Sequence, residues 1–202
     1  MTLTQSATPQ RVGEVIEANS HSFTAQCYEL YTAPPLGSLV RTGKPVVYGV
    51  VCCISTEPLD SSRPVLARGR EADTEEEIYR NNPQISRLFT SRFETLVVGH
   101  QSQNNEAVNC PYLPPLPPRV HSFVYTCVSQ EIIDFTSDLQ FLHLLINSGV
   151  PSADQVIGAC LREASTAYSN RQEFLLRAGR TLAAELAGDL PRLNAILRRI
   201  IS

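Results

Sequence analysis

The spacing of apolar residues changes character once along this chain, at Ser129, and that change limits the folds it can adopt. Before it, apolar residues alternate with polar ones or form short runs bounded by turn formers: Val12–Ala18, then Phe23, Ala25 and Cys27 around Thr24 and Gln26, then Val46–Ile54. A period of two puts successive side chains on opposite faces of a strand. After Ser129 the apolar positions recur at three and four residues, the spacing of a helix with one buried stripe. The expected class is therefore α+β, with a β domain over residues 10–128 and a helical module over residues 129–202.

Turn chemistry subdivides the β part. Pro34-Pro35-Leu36-Gly37-Ser38 precedes a short Leu39-Val40 strand, and Gly43-Lys44-Pro45 turns into the next one. Further strands are expected at Phe93–His100 and Val120–Val128, with a polar loop over Gln101–Asn109 between them. Short strands punctuated in this way suggest a small closed β-barrel of about six strands. Gly13 and Gly49 lie inside strand patterns, where glycine weakens a strand unless a corner or a close backbone approach requires it. Residues 57–92 read as a polar insertion, its Glu71, Asp73, Glu75, Glu76 and Glu77 forming a solvated helix face or loop.

The helical module reads as four helices. The first runs through Ile132, Ile133, Phe135, Leu139, Leu142, Leu145 and Ile146 and stops at Gly149 and Pro151. Ser152 with Gln155 opens the second, which buries Val156, Ile157, Cys160, Leu161, Ala164 and Tyr168. Asn170 with Glu173 opens the third, carrying Phe174, Leu175, Ala178, Leu182 and Leu186 up to Gly188. Asp189 and Pro191 open the fourth, with Leu193, Ile196, Leu197, Ile200 and Ile201 on one side. Helices this short are not stable alone and must pack on something.

Three motifs of chemistry fall short of their requirements. Gly37 to Pro45 approaches a phosphate-binding loop, but five residues separate its glycines and Pro45 stands where a metal-binding hydroxyl is needed. It also lies between two strands, whereas such a loop must open a helix. The proline-rich segment at 110–119 contains Pro114-Pro115-Leu116-Pro117-Pro118-Arg119, which fits a polyproline ligand and equally a stiff spacer between domains; the spacer is the reading taken. A nucleophilic mechanism would need a Ser or Cys within reach of His21, His100, His121 or His143, and no strained nucleophile turn is present. The six cysteines, at 27, 52, 53, 110, 127 and 160, show no metal-ligand spacing and read as small buried hydrophobes in a reducing compartment. No catalytic residue, cofactor or metal ligand is assigned. With a net charge of −3 and no apolar run of membrane-spanning length, the composition points to a soluble, cytoplasmic protein without a cationic coat.

Five short segments carry a family resemblance: Arg11-Val12-Gly13-Glu14-Val15-Ile16-Glu17, Ser22-Phe23-Thr24-Ala25, Pro35-Leu36-Gly37-Ser38-Leu39-Val40, Val47-Tyr48-Gly49-Val50-Val51 and Leu96-Val97-Val98-Gly99. With the exit segment Pro114–Pro118, they resemble the HAS barrel, the domain shared by HerA-type DNA-translocating ATPases and the α and β subunits of rotary ATP synthases. The likeness spans residues 10–128. In that family an ATPase core with a phosphate loop follows; here helices take its place, so the chain looks like the stand-alone HAS-barrel proteins of oxygenic phototrophs. The resemblance implies a contact role, since in the ATPases such barrels form a crown that joins neighbouring subunits. The expected function is a non-catalytic assembly or adaptor protein that binds a protein partner, either an ATPase complex or another copy of itself, through the barrel surface and the helical module.

Two other readings are weighed beside it. One is a nucleic-acid-associated adaptor using Arg177, Arg180, Arg192, Arg198 and Arg199, candidate partner-binding residues in a stretch, 151–202, with seven arginines against five acids. The other is a small Cys-dependent hydrolase.

Overall fold

The computed structural model describes residues 8–60, 62, 64–102 and 108–201. Seven strands are present among the described residues: β1 (Arg11–Ala18), β2 (Ser22–Cys27), β3 (Leu39–Thr42), β4 (Val47–Pro58), β5 (Phe89–Gln101), β6 (Asn109–Cys110) and β7 (Phe123–Thr126). They form one antiparallel sheet in the order β2-β1-β7-β3-β4-β5-β6, and β2 also pairs with β5. The hydrogen-bonded ladder therefore passes through six strands and returns to its first, leaving the two-residue β6 as an appendage on β5.

The alternation read in the sequence sorts side chains into the inside and outside of this ring. Phe23, Ala25 and Cys27 of β2 point inward with Val12, Val15, Val40, Val47, Val51, Phe93, Val97 and Val124, forming one apolar core. Val12 and Val15 share that face although three positions apart, because the β1–β7 register shifts between Arg11 and Gly13. A side chain at Gly13 would collide with the carbonyl oxygen of Gln26 on β2, and one at Gly49 with Thr95 on β5. Gly49 sits at a second register shift, between Tyr48 and Gly49 on β4. Both glycines thus mark places where neighbouring strands approach too closely for a β-carbon, as expected of them.

Among the described residues there are also seven helices: α1 (Glu75–Asn81), α2 (Ile85–Leu88), α3 (Ser129–Thr136), α4 (Leu142–Ile146), α5 (Ala153–Ser165), α6 (Arg171–Glu185) and α7 (Leu190–Ile201). The first two lie in the polar insertion, which is shorter than 57–92 because β4 runs on to Pro58 and β5 starts at Phe89. Thr74 caps α1 by accepting the Glu77 amide, while the Glu77 carboxylate accepts the Asp73 amide. Glu75, Glu76 and Glu77 are thus the first turn of a helix, where negative charge suits the exposed amides, while Glu71 and Asp73 precede it.

The four-helix expectation for residues 129–202 needs correction, since five are present. The periodic stretch expected as one helix breaks between Thr136 and Leu142. Polar side chains there satisfy the backbone locally: Ser137 Oγ donates to the Asp134 carbonyl and Asp138 Oδ1 accepts the Gln140 amide. The break lets Phe135 and Phe141 meet, with ring centroids 5.4 Å apart, although they belong to different turns. Ser152 precedes α5 as expected, but its side chain makes no capping bond; its carbonyl accepts the Gln155 and Val156 amides instead. Asn170 and Asp189 do cap, accepting the Glu173 and Arg192 amides. Leu186, and not Gly188, is the C-cap of α6.

A second core joins the helices to the outside of the ring. Tyr48, Val50 and Cys52 of β4, Leu96 and Val98 of β5 and Leu39 of β3 pack with buried residues of α3 to α7, among them Phe135, Leu145, Ile157, Leu182 and Ile196. β4 is consequently buried on both faces from Val47 to Cys52. Gly37, at φ +86°, lies so close to α5 that an added β-carbon would be 2.5 Å from the Ala159 carbonyl carbon. The boundary at residue 129 is a change of element type, and the apolar core crosses it.

The proline-rich segment is also corrected. It connects β6 to β7 within one sheet, so it is not a spacer between domains. Pro114 and Pro118 are buried and Leu113 packs against the inner core of the ring. The polar loop expected over Gln101–Asn109 falls largely at residues 103–107, outside the described residues, as does the side chain of Ile201.

Candidate functional site

The helices cover the ring on its β3–β4–β5 side and leave β1, β2 and β7 facing outward. On that side the register aligns Arg11 of β1, Tyr125 of β7 and Arg41 of β3 in one cross-strand row, with Phe123 opposite Glu14 in the next. Val124, between the two aromatics, points into the ring. The Arg11 guanidinium sits 4.8 Å from the centroid of Phe123 and 5.1 Å from that of Tyr28, and Arg41 lies 5.2 Å from that of Tyr125. Tyr28 and Phe123 remain about half exposed, at 50% and 45%. Arg41 is tied at its other end to Glu131 of α3 at 2.7 Å, which joins the strip to the edge of the helical layer. His121 Nδ1 donates to the Glu14 carboxylate at 3.2 Å beside it. Stacking holds Arg11 without neutralising it, whereas Arg41 is paired with Glu131, so the strip offers flat aromatic faces with the Arg11 guanidinium between them.

A second exposed apolar feature lies on the helical layer. α6 carries two stripes: Phe174, Ala178 and Leu182 face the core, while Leu175, Leu176, Gly179 and Ala183 line a groove of about 770 Å³ with Leu197 and Ile200 of α7. Leu176 is 58% exposed. Arg171 and Arg180 stand on its rim. A third feature, a cleft of about 550 Å³, lies under the insertion between Pro64–Leu66, Ile78, Ile85 and the β4–β5 ends. The hydroxyls of Tyr31 and Tyr79 meet there at 2.8 Å.

The five arginines expected to bind a partner are not brought together. Arg192 Nε donates to Asp154 at 2.8 Å, and its Nη2 donates to the Ile146 carbonyl, fastening α7 to α5 and α4. Arg199 donates to the Ala195 carbonyl at 2.6 Å, and its own carbonyl accepts from the Arg162 guanidinium. Arg177 lies over the Tyr168 and Phe174 rings at 5.9 and 5.7 Å. Arg180 alone of the five lines the α6–α7 groove, and Arg198 is an exposed residue of α7. Alternation around Val124 was the signal for the aromatic strip: it puts Phe123 and Tyr125 on one face. The groove was signalled by Leu176, an apolar residue off the main stripe.

The cysteines and histidines divide by position. Cys52 is buried and its neighbour Cys53 exposed, on opposite faces of β4 as expected. Burial pushes the Cys52 thiol up to about 11 and the Cys160 thiol up to about 12; it also raises those of Cys27 and Cys127. Raised thiols hold their protons, the reverse of what a nucleophile requires. Register sets Cys110 opposite His100, but their bonds diverge: Cys110 Sγ donates to the Val108 carbonyl and His100 Nδ1 to that of Tyr112. His143 is on the surface and pairs with Glu185 at 2.9 Å. Among the described residues no three His, Cys, Asp or Glu side chains gather as a metal site, and no helix is long and apolar enough to cross a membrane.

No protein-family model matches the chain, and no curated protein does.

Proposed function

We propose that the chain is a non-catalytic assembly or adaptor protein, its strand ring a closed barrel of the HAS type, and that it binds a protein partner through the uncovered outer face of that barrel. The observation that carries this reading is the strip of Arg11, Tyr28, Phe123 and Tyr125. Tyr and Arg, with Trp, are enriched where protein interfaces draw their energy: Tyr buries a large area with only two torsions to freeze, and Arg presents a planar fork of donors that also stacks on aromatic faces. A monomer with no use for that face would gain solubility from charges there. The nucleic-acid reading finds less support, since Arg192 and Arg199 spend their donors on the protein's own groups.

The experiment compares affinity capture from native lysate by the wild type and by a Tyr28→Ser/Phe123→Ser variant. Both side chains are half exposed, so the variant should keep its circular dichroism and melting temperature. A prey protein recovered at stoichiometric yield with the wild type and lost with the variant is the expected result. Equal recovery by both, or no prey with either, overturns the reading.

A further inference from the structure

We infer that the α6–α7 groove receives an amphipathic helix of a partner protein, with carboxylates flanking its apolar face. This rests on the adaptor reading and adds a second contact, chemically distinct from the aromatic strip.

The groove has room for the side chains of an occupant. Its volume is about 770 Å³ and its floor is Leu175, Gly179, Ala183 and Leu197. The small residues at 179 and 183 create the depression, since each lies where a longer side chain would fill the space between the helices. A β-carbon added at Gly179 would sit 3.6 Å from Leu197 Cδ2, ordinary contact, so nothing in the packing of α6 on α7 demands a glycine there. Helical glycine is unfavourable by itself, and the space it leaves open is what it provides.

Charge selects the occupant. Arg171 and Arg180 rim the groove, both exposed, and neither guanidinium has a hydrogen-bond or ion-pair partner among the described residues. No acid lines it. The contrast with Arg192 and Arg199, which are engaged by the protein itself, sets these two apart. Along α6 their Cα atoms are about 13 Å apart at 1.5 Å per residue, a span that a facing helix covers in between two and three turns. An apolar stripe at i, i+3, i+4 and i+7 would fill the groove, and carboxylates near its two ends would meet the guanidinium pair. Phosphates would meet the cations but not the leucine floor, and a second copy of this chain would have to bring equally cationic surface to the same rim.

The test uses the full chain and two synthetic amphipathic peptides of about eighteen residues, long enough to form helix. Both carry one leucine stripe; one has Glu and the other Lys at the flanking positions. Fluorescence anisotropy should give the Glu peptide a Kd about ten-fold or more below that of the Lys peptide. The Arg171→Glu/Arg180→Glu variant should reverse that order. Gly179→Leu should abolish binding of both peptides at unchanged circular dichroism. Equal affinity for the two peptides, no binding of either, or binding that survives Gly179→Leu overturns the inference. So does a wild-type dimer in sedimentation that Gly179→Leu dissolves, since the occupant is then a second copy. These outcomes concern the groove alone; loss of prey on changing Tyr28 and Phe123 tests the barrel face separately.

Discussion

At the scale of single residues, the tightest constraints are steric and fall on glycines. Gly37 combines a left-handed backbone with direct contact against α5, so alanine there is penalised twice. We predict that Gly37→Ala lowers stability by about 1–3 kcal/mol, the usual cost of overpacking, read as a drop in the urea midpoint with little change in slope. Tyr48 sets a different limit. It is 2% exposed, its hydroxyl accepts from Gln101 Nε2 at 3.0 Å, and burial pushes its pKa up to about 12. The unfolded chain releases that proton near the ordinary value of 10.0. Stability is then fully present below pH 10 and falls between pH 10 and about 12, by about 1.4 kcal/mol per pH unit for each such group. Cys52 and Cys160 start the same decline from their ordinary 9.0. Urea midpoints measured from pH 8 to 12 should fall steadily above 9, and Tyr48→Phe should flatten the upper part of the curve. The close approach at Gly13 and Gly49 was legible in the sequence because glycine in a strand pattern has few other uses. The role of Gly37 was not, because its partner is more than a hundred residues away in the chain.

At the scale of elements, the strands were readable almost throughout, since a strand whose two faces meet different surroundings leaves a period of two. β2 is the clearest instance, with Phe23, Ala25 and Cys27 inside the ring. β6 was missed because two residues have no period, and the tips of β4 and β5 because their polar residues extend beyond any core. The α3–α4 break was hidden for the opposite reason: apolar residues continue at helical spacing on both sides of it, and Ser137 and Asp138 end the helix through local hydrogen bonds that hydrophobic spacing does not record. α6 shows how one helix carries two surfaces, Phe174, Ala178 and Leu182 inward and Leu175, Gly179 and Ala183 along the groove. Gly179→Ala should therefore stabilise the protein by about 0.5–1 kcal/mol, the difference in helix propensity, seen as a rise in melting temperature. Asn170→Ala should destabilise it by about 1 kcal/mol through loss of the bond to the Glu173 amide.

At the scale of the whole molecule, the two parts recognised from the change of period are built on two cores, one inside the ring and one between the ring and the helices. Because Tyr48, Val50, Leu96 and Val98 belong to the second, removing residues 129–202 would bare a continuous apolar face. We expect residues 8–128 expressed alone to aggregate or bind a hydrophobic dye, and to regain solubility when the helical part is supplied in trans. The arginines expected from sequence divide at the same scale: local charge counts do not reveal which guanidinium groups the fold turns on its own carboxylates and carbonyls, as it does with Arg192 and Asp154, and which, like Arg180, stay on the rim of a groove. The aromatic strip is likewise a product of register across β1, β7 and β3, which no single segment displays. Its role is tested most directly by placing a photo-crosslinking amino acid at position 123 in the living cell, with Leu190, still more exposed and on the helical layer, as the control position. The account predicts one discrete high-mass adduct from position 123 that is absent from position 190. Identical diffuse labelling from both positions, or no adduct at 123, would contradict it.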